Sequence, residues 1–263
     1  MNDRLGPLKG TTVMLVAHPD DEVIAFGALM QRMKKAVVVF ATDGAPYDSY
    51  FWNEYGSRDA YAQVRQREAR QALSIVRAQE IFLSERVNGG IADQELFRRL
   101  PEAVKALEEV VSQLEPDCLL TLAYEGGHPD HDACCFISSQ VGRRRNVPVW
   151  ESPLYHRNSD GSSVVQTFPQ ATSGEIEVQV AGEELLKKLE MFHTYKSQKL
   201  TLDLFRPEVE QFRPIADYDF TRRPLPWKLN YEHWQWPMTG DEVAGEFASY
   251  LRKIGELGNL VIG

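Results

Sequence analysis

Short apolar runs rich in β-branched residues alternate with longer stretches of mixed polarity along residues 1–155. Residues 12–17 (TVMLVA) show none of the polar alternation of a sheet face open to water, so they read as a strand buried on both sides. The runs 36–41 (AVVVFA), 80–83, 117–123 (DCLLTLA) and 147–153 read as further strands. Between them, 23–33, 57–78 and 94–114 carry helical patterns, and Pro101 is placed to interrupt or restart the last. Pro129 sits where a helix begins, since its missing N–H costs nothing in a first turn, and 132–141 continues that helix.

This alternation implies βαβ units, right-handed crossovers and a parallel sheet. Past residue 155 the regularity ends. Residues 164–168 and 176–180 read as strands, 183–195 as an amphipathic helix and 241–254 as a terminal helix, while the Pro- and Trp-rich stretch 207–237 fits neither period. The expectation is an α/β fold: a Rossmann-like, open and mostly parallel sheet flanked by helices over 1–155. A smaller C-terminal α+β appendage, 156–263, is expected to pack on the same domain.

Composition narrows the classes of function. Hydrophobic residues are 43% and charged residues 25%, ordinary for a soluble globular chain. A formal charge of −9 argues against a nucleic-acid binder, which needs a basic face for phosphates. No apolar run reaches the roughly 18 residues that span a bilayer, and the opening MNDRLGPLKG lacks the apolar core of a signal peptide. The cysteines, Cys118, Cys134 and Cys135, are odd in number and two are adjacent, which suits buried thiols in a reducing cytoplasm.

Candidate chemistry lies in two turns, His18-Pro19-Asp20-Asp21 and His128-Pro129-Asp130-His131, each directly after an expected strand. Ligands of an open parallel sheet bind beyond the carboxyl ends of its strands, where strand order reverses. If the first and fourth strands are neighbours there, their ends lie about 4.8 Å apart and the two turns share one crevice. Two imidazoles and a carboxylate with a fourth position for water suit a catalytic zinc; iron(II) or another divalent metal accepts the same donors. A lone His-Pro-Asp can be helix capping, and that reading is kept for Glu22, which favours a helix N-terminus, with support of the site from behind as its alternative.

Ala-His-Pro-Asp-Asp-Glu at 17–22 with Gly-His-Pro-Asp-His at 127–131 resembles the PIG-L/LmbE-like deacetylases, zinc-dependent enzymes that remove acetyl groups from molecules containing N-acetylglucosamine. The resemblance extends through Arg65-x-x-Glu68-x-x-x-Ala72 and, more loosely, 188–198. It implies that His18, Asp21 and His131 hold zinc and that Asp20 is the general base. It further implies that His128 acts as acid or oxyanion stabiliser, with Asp130 as its carboxylate partner. Amide hydrolysis needs such groups: a cation to polarise the carbonyl and acidify water, a base for the water's proton, and a second positive partner for the oxyanion. The same match favours Arg65 as a substrate-binding cation. Asp43, at the sheet's active edge, is either turn chemistry or a substrate-facing rim residue.

The aromatic loop holding Tyr47, Tyr50, Phe51, Trp52 and Tyr55 suits a sugar face or an oligomer interface, and the sequence leaves both open. Trp227, Tyr231, Trp234 and Trp236 are expected in core or interface, and His193 in a structural role. Gly126 stands where the family often has tyrosine, with Tyr124 as a substitute from another position. Asn88 lies near a usual Asp-Gly pair and Tyr195 near a usual histidine. These departures are expected to bear on substrate rather than chemistry. The expected activity is that of a cytoplasmic, metal-dependent hydrolase: a zinc-dependent N-deacetylase acting on a small N-acetylated amino sugar or its conjugate through metal-activated water. The alternatives are an amidase for another amide, such as a thiol conjugate, and a metal-stabilised sugar-binding protein without turnover.

Overall fold

The computed structural model describes residues 4–256. β1 (Thr11–Val16), β2 (Lys35–Phe40), β3 (Gln79–Phe82), β4 (Cys118–Leu122) and β5 (Val149–Ser152) pair in parallel in the order β3-β2-β1-β4-β5. β6 (Tyr155–Arg157) and β7 (Ser163–Val165) form a separate antiparallel ribbon. β8 (Ile176–Gln179) and β9 (Val209–Pro214) extend the main sheet to seven strands, with β9 antiparallel to both β5 and β8. The sheet is therefore mostly parallel, and it runs across the division expected at residue 155.

The helices are α1 (Asp21–Phe26), α2 (Arg58–Val76), α3 (Leu100–Leu114), α4 (Pro129–Arg145), α5 (Gly182–Thr194), α6 (Lys199–Leu202), α7 (Asn230–His233) and α8 (Gly240–Lys253). Neighbouring residues of β1 point to opposite faces, and both faces are covered. Val13 and Leu15 pack with Leu107 of α3, Phe136 of α4 and Phe247 of α8. Met14 and Val16 pack with Phe26 of α1, Leu73 of α2 and Met191 of α5. Two-sided burial is why the strand sequences are apolar without alternation.

Three boundaries differ from the pattern. The helix expected over 23–33 stops at Phe26 and resumes as a 3-10 turn, Leu29–Arg32. Its next amides are taken by Glu210 of β9, which accepts from Ala28 N (2.7 Å) and Leu29 N (3.0 Å). The helix expected over 94–114 starts at Leu100, with Pro101 in its first turn. α4 runs to Arg145, where Asn146 in the left-handed conformation ends it. The stretch 207–237 contains β9 and α7, whose partners lie far away in sequence.

Lys188 of α5 is fully buried and donates to Glu210 Oε1 (2.7 Å) and Ile24 O (3.0 Å). Burial pushes its ammonium below the ordinary lysine value, and Glu210 offsets part of that. The pair joins α5 and β9 to the end of α1. Lys188→Met leaves the Glu210 charge buried without its cation and is expected to cost about 3–5 kcal/mol, read as a lower urea midpoint at unchanged slope.

Candidate metal centre

β1 pairs with β2 on one side and β4 on the other, so strand order reverses between β1 and β4. The two His-Pro-Asp turns leave the carboxyl ends of these adjacent strands. Asp21 opens α1, and its Oδ2 accepts from Ala17 N (3.1 Å) and His18 N (2.8 Å), folding the first turn back on its strand. Its two oxygens lie 3.5 Å from His18 Nδ1 and 3.2 Å from His131 Nε2, and those nitrogens are 3.4 Å apart. A tetrahedral site with bonds of about 2.0–2.1 Å has edges of about 3.3–3.4 Å. The His18–His131 separation matches such an edge, a different Asp21 oxygen lies against each of the two rings, and donor nitrogens of His18, His128 and His131 gather within 4.8 Å of one another, so the crevice collects the donors that a divalent cation takes.

The donor chemistry fits a cation as well. His18 Nε2 lies 3.1 Å from Asp93 Oδ1 and 3.3 Å from Asp130 Oδ2, so the ring proton belongs on that side. A ring holding a metal would then present the Nδ1 lone pair beside His131 and Asp21, with carboxylates supporting its far nitrogen as is usual for a metal-bound histidine. Burial opposes charge on His18, but Asp93, Asp130 and Asp21 outweigh it and raise the imidazole well above its ordinary value. Burial likewise opposes the Asp21 carboxylate, and His131 and His18 overcome it, holding the group well below the usual range.

Asp130 does not sit as the sequence suggested. Its carboxylate faces His18 and accepts from Gln94 N (2.6 Å) and Leu96 N (3.0 Å). Its hydrogen bond to His128 comes from the backbone amide, which donates to Nδ1 at 3.1 Å, while its carboxylate stays within 4.8 Å of a His128 ring nitrogen without bonding it. The reason is the helix start: His128 is the N-cap of α4, and Asp130, two residues on, points its side chain away. The carboxylate beside His128 belongs to Asp93, whose Oδ1 is 3.3 Å from His128 Nε2. Sequence reading missed Asp93, because nothing in its loop marks it. Burial, then the neighbouring His18, pushes the His128 imidazole below its ordinary value.

Asp20 adopts φ 133° and ψ −27°, outside the regions favoured by L-residues, at a cost on the order of 1–3 kcal/mol. Several contacts hold it there. Its amide donates to Glu22 Oε2 (3.0 Å), and its carbonyl accepts from Val23 N and Ile24 N. Arg65 Nη2 donates to both Asp20 Oδ1 (3.0 Å) and Pro19 O (2.7 Å), while Nη1 reaches Gly44 O (2.6 Å). Burial pushes the Asp20 carboxyl up to about 7, against the pull of Arg65. Glu22 is a buried support for the turn, bonded to Tyr195 Oη as well as to Asp20, and burial pushes it up to about 8.

His18, Asp20, Asp21, His128 and His131 line one pocket of about 460 Å³ with Arg65 and Asp93. The Arg65 guanidinium is engaged in holding the Asp20 turn. Asp43 is not in the pocket wall: it pairs with Arg58 and accepts from Ala45 N, shaping the loop behind the rim. Tyr195 is buried against Glu22, so this departure supports the base turn and does not face substrate. Tyr124 turns into the core and donates to Arg222 O (2.7 Å), so it is no replacement at the pocket. A side chain at Gly126 would run into Leu229. Asn88 offers its carbonyl to Arg99. Tyr231 is core, as expected, but Trp234 and Trp236 line the pocket, Trp236 with its ring 4.9 Å from that of His128. Tyr155, whose ring lies 5.3 Å from that of His131, was also missed.

The chain is 26% identical over 193 residues to a 1D-myo-inositol 2-acetamido-2-deoxy-α-D-glucopyranoside deacetylase of Corynebacterium diphtheriae, covering 62% of this chain and 65% of that protein. It therefore spans less than two thirds of that relative's length. The enzyme of the same name from Corynebacterium glutamicum strain R is 23% identical over 246 residues, 82% of this chain and 83% of that one. Among solved structures, a pseudoaglycone deacetylase of an antimicrobial reagent shares the fold, with a TM-score of 0.62 at 18% identity over 80% of this chain and 98% of that one. Residues 13–141, which hold both His-Pro-Asp turns and the strands beneath them, match the PIG-L (GlcNAc-PI de-N-acetylase) family.

Proposed function

We propose that this protein is a divalent-metal-dependent hydrolase that removes the acetyl group from an N-acetylated amino sugar or its conjugate. The observation that carries the reading is the meeting of His18 Nδ1 and His131 Nε2 at 3.4 Å, with an Asp21 oxygen within 3.5 Å of each and the buried carboxylate of Asp20 in the same pocket. The deacetylase names of the curated relatives support the choice of bond.

His18, Asp21 and His131 would hold a divalent cation, which would supply polarisation of the acetamide carbonyl and acidity for the attacking water. Two imidazoles and a carboxylate suit zinc, and iron(II) takes the same set. Asp20 accepts the water's proton; a carboxylate raised toward neutrality by burial is a stronger base than an exposed one. Arg65 holds one Asp20 oxygen and keeps the strained turn in place. His128 accepts at Nδ1 from the Asp130 amide, which places the ring proton on Nε2 beside Asp93 Oδ1 at 3.3 Å; turned from Asp93 toward substrate, that N–H stabilises the oxygen of the tetrahedral adduct. The proton held by Asp20 then passes to the departing amine.

Asp20→Asn is expected to keep its metal content and lose about 10²–10⁴-fold in kcat, measured as acetate released from a panel of N-acetylglucosaminides. Metal-loaded wild type releases acetate and chelator-treated protein does not; release of a larger acyl group alone would assign another amidase. His18→Ala combined with His131→Ala is expected to abolish stoichiometric metal, read by elemental analysis.

The pH profile follows from the role of Asp20. The base must be ionised, so kcat/KM falls as pH falls through its pKa, which burial raises to about 7. Arg65→Met removes a charge that favours ionised Asp20 and is expected to move the limb to higher pH.

A further inference from the structure

A tyrosine removed from bulk water ordinarily finds a partner for its hydroxyl. Those of Tyr61, Tyr124 and Tyr195 have one, in Gln198, Arg222 and Glu22. Tyr231 has none, but its hydroxyl is sealed in the core. Tyr155 differs from all of these. It lines the pocket, and among the described residues its hydroxyl neither bonds a protein group nor is enclosed by protein. Burial, then the carboxylates of Asp21, Asp20 and Asp93, hold the phenol well above its ordinary value, so it remains a donor beside the candidate centre.

The position of Tyr155 is fixed from several sides. Its ring meets those of His131, Phe205 and Trp234 at 5.3, 6.1 and 6.3 Å. Glu125, fully buried in the segment that leads into the second His-Pro-Asp turn, accepts from Leu154 N (2.7 Å) and Tyr155 N (2.9 Å). Its other oxygen lies 3.4 Å from His156 Nδ1. Gly127 closes the contact: a Cβ there would come within 2.0 Å of Tyr155 O and 3.0 Å of its ring. The start of β6 is thus fastened to the residues that deliver His128 and His131. His131 is ring neighbour to both His128 (5.1 Å) and Tyr155 (5.3 Å), so an acyl oxygen brought to His131 has two donors at hand. One of them, His128 Nε2–H, is shared with Asp93, whereas the phenol is uncommitted.

We propose that Tyr155 is a catalytic residue whose hydroxyl donates a hydrogen bond to the oxygen of the tetrahedral adduct, with Glu125 as its positioning residue. The proposal rests on the amide-hydrolase reading given above. The phenol keeps its proton throughout. Water adds to the carbonyl carbon, the carbonyl oxygen gains the negative charge and the hydrogen bond, and both are given up when the C–N bond breaks and the carbonyl reforms.

Tyr155→Phe removes only the hydroxyl, and that group has no protein partner to lose. Metal content and the urea midpoint are therefore expected to stay at wild-type values, while kcat falls about 10²-fold with little change in KM. Affinity for a methylphosphonamidate of glucosamine, a mimic of the adduct, should weaken by a comparable factor, and affinity for glucosamine itself should not change. Unaltered kcat and mimic affinity overturn the proposal. So does an equal loss of mimic and glucosamine binding, which would make Tyr155 a contact to the sugar, and so does a loss of metal or of stability, which would make it structural. A wild type that hydrolyses some other amide but releases no acetate ends the deacetylase reading alone, since the same comparison on that amide still decides Tyr155. A wild type that hydrolyses no amide and does not bind the mimic overturns both.

Discussion

Hydrogen bonding between β1 and β4 sets Leu15 opposite Thr121, and the turns that leave these strands have no choice but to meet. Parallel neighbours about 4.8 Å apart at a reversal of strand order open a crevice between their following loops. Into that crevice one turn delivers His18, Asp20 and Asp21, and the other His128 and His131. Without this pairing the two motifs are separate helix starts; with it, two imidazole nitrogens and a carboxylate stand within 3.5 Å of one another.

Convergence of so many ionisable groups in a buried crevice is unfavourable in itself, and the surrounding structure is organised to sustain it. Each histidine has a carboxylate neighbour: Asp21 and Asp130 for His18, Asp93 for His128, Asp21 for His131. Asp20, in a conformation that L-residues avoid, is braced by Arg65 from α2 and by Glu22, which is in turn bonded to Tyr195 after α5. Glu68 of α2 adds to the same bracing by accepting from Ser197 N and Oγ. α1, α2 and α5 are thus joined around a single turn, a rigidity that suits a base required to act at one place.

The local parts of this arrangement were legible in the chain. Both His-Pro-Asp turns follow two-sidedly buried strands, and Pro129 and the acidic residues after each histidine mark helix starts. The residues that were misread or missed are those whose partners come from afar. Asp130 was assigned to the histidine nearest in sequence, yet the start of α4 turns its carboxylate to His18, 112 residues away. Asp93, Tyr155, Trp234 and Trp236 lie in segments without period or motif, and only folding brings them to the pocket. The α1 boundary was lost for the same reason, since Glu210 competes for its amides.

By itself the sequence determined the alternation of strands and helices, the mostly parallel sheet, and the residue types at the ends of β1 and β4. These follow from period, burial and turn chemistry, which act over a few residues. The tertiary structure alone decided which carboxylate supports which histidine, that Tyr195 braces the base turn, and that Tyr155 stands against His131 in the pocket wall. Such contacts join segments tens to hundreds of residues apart, and their partners are chosen by packing, which no local pattern encodes.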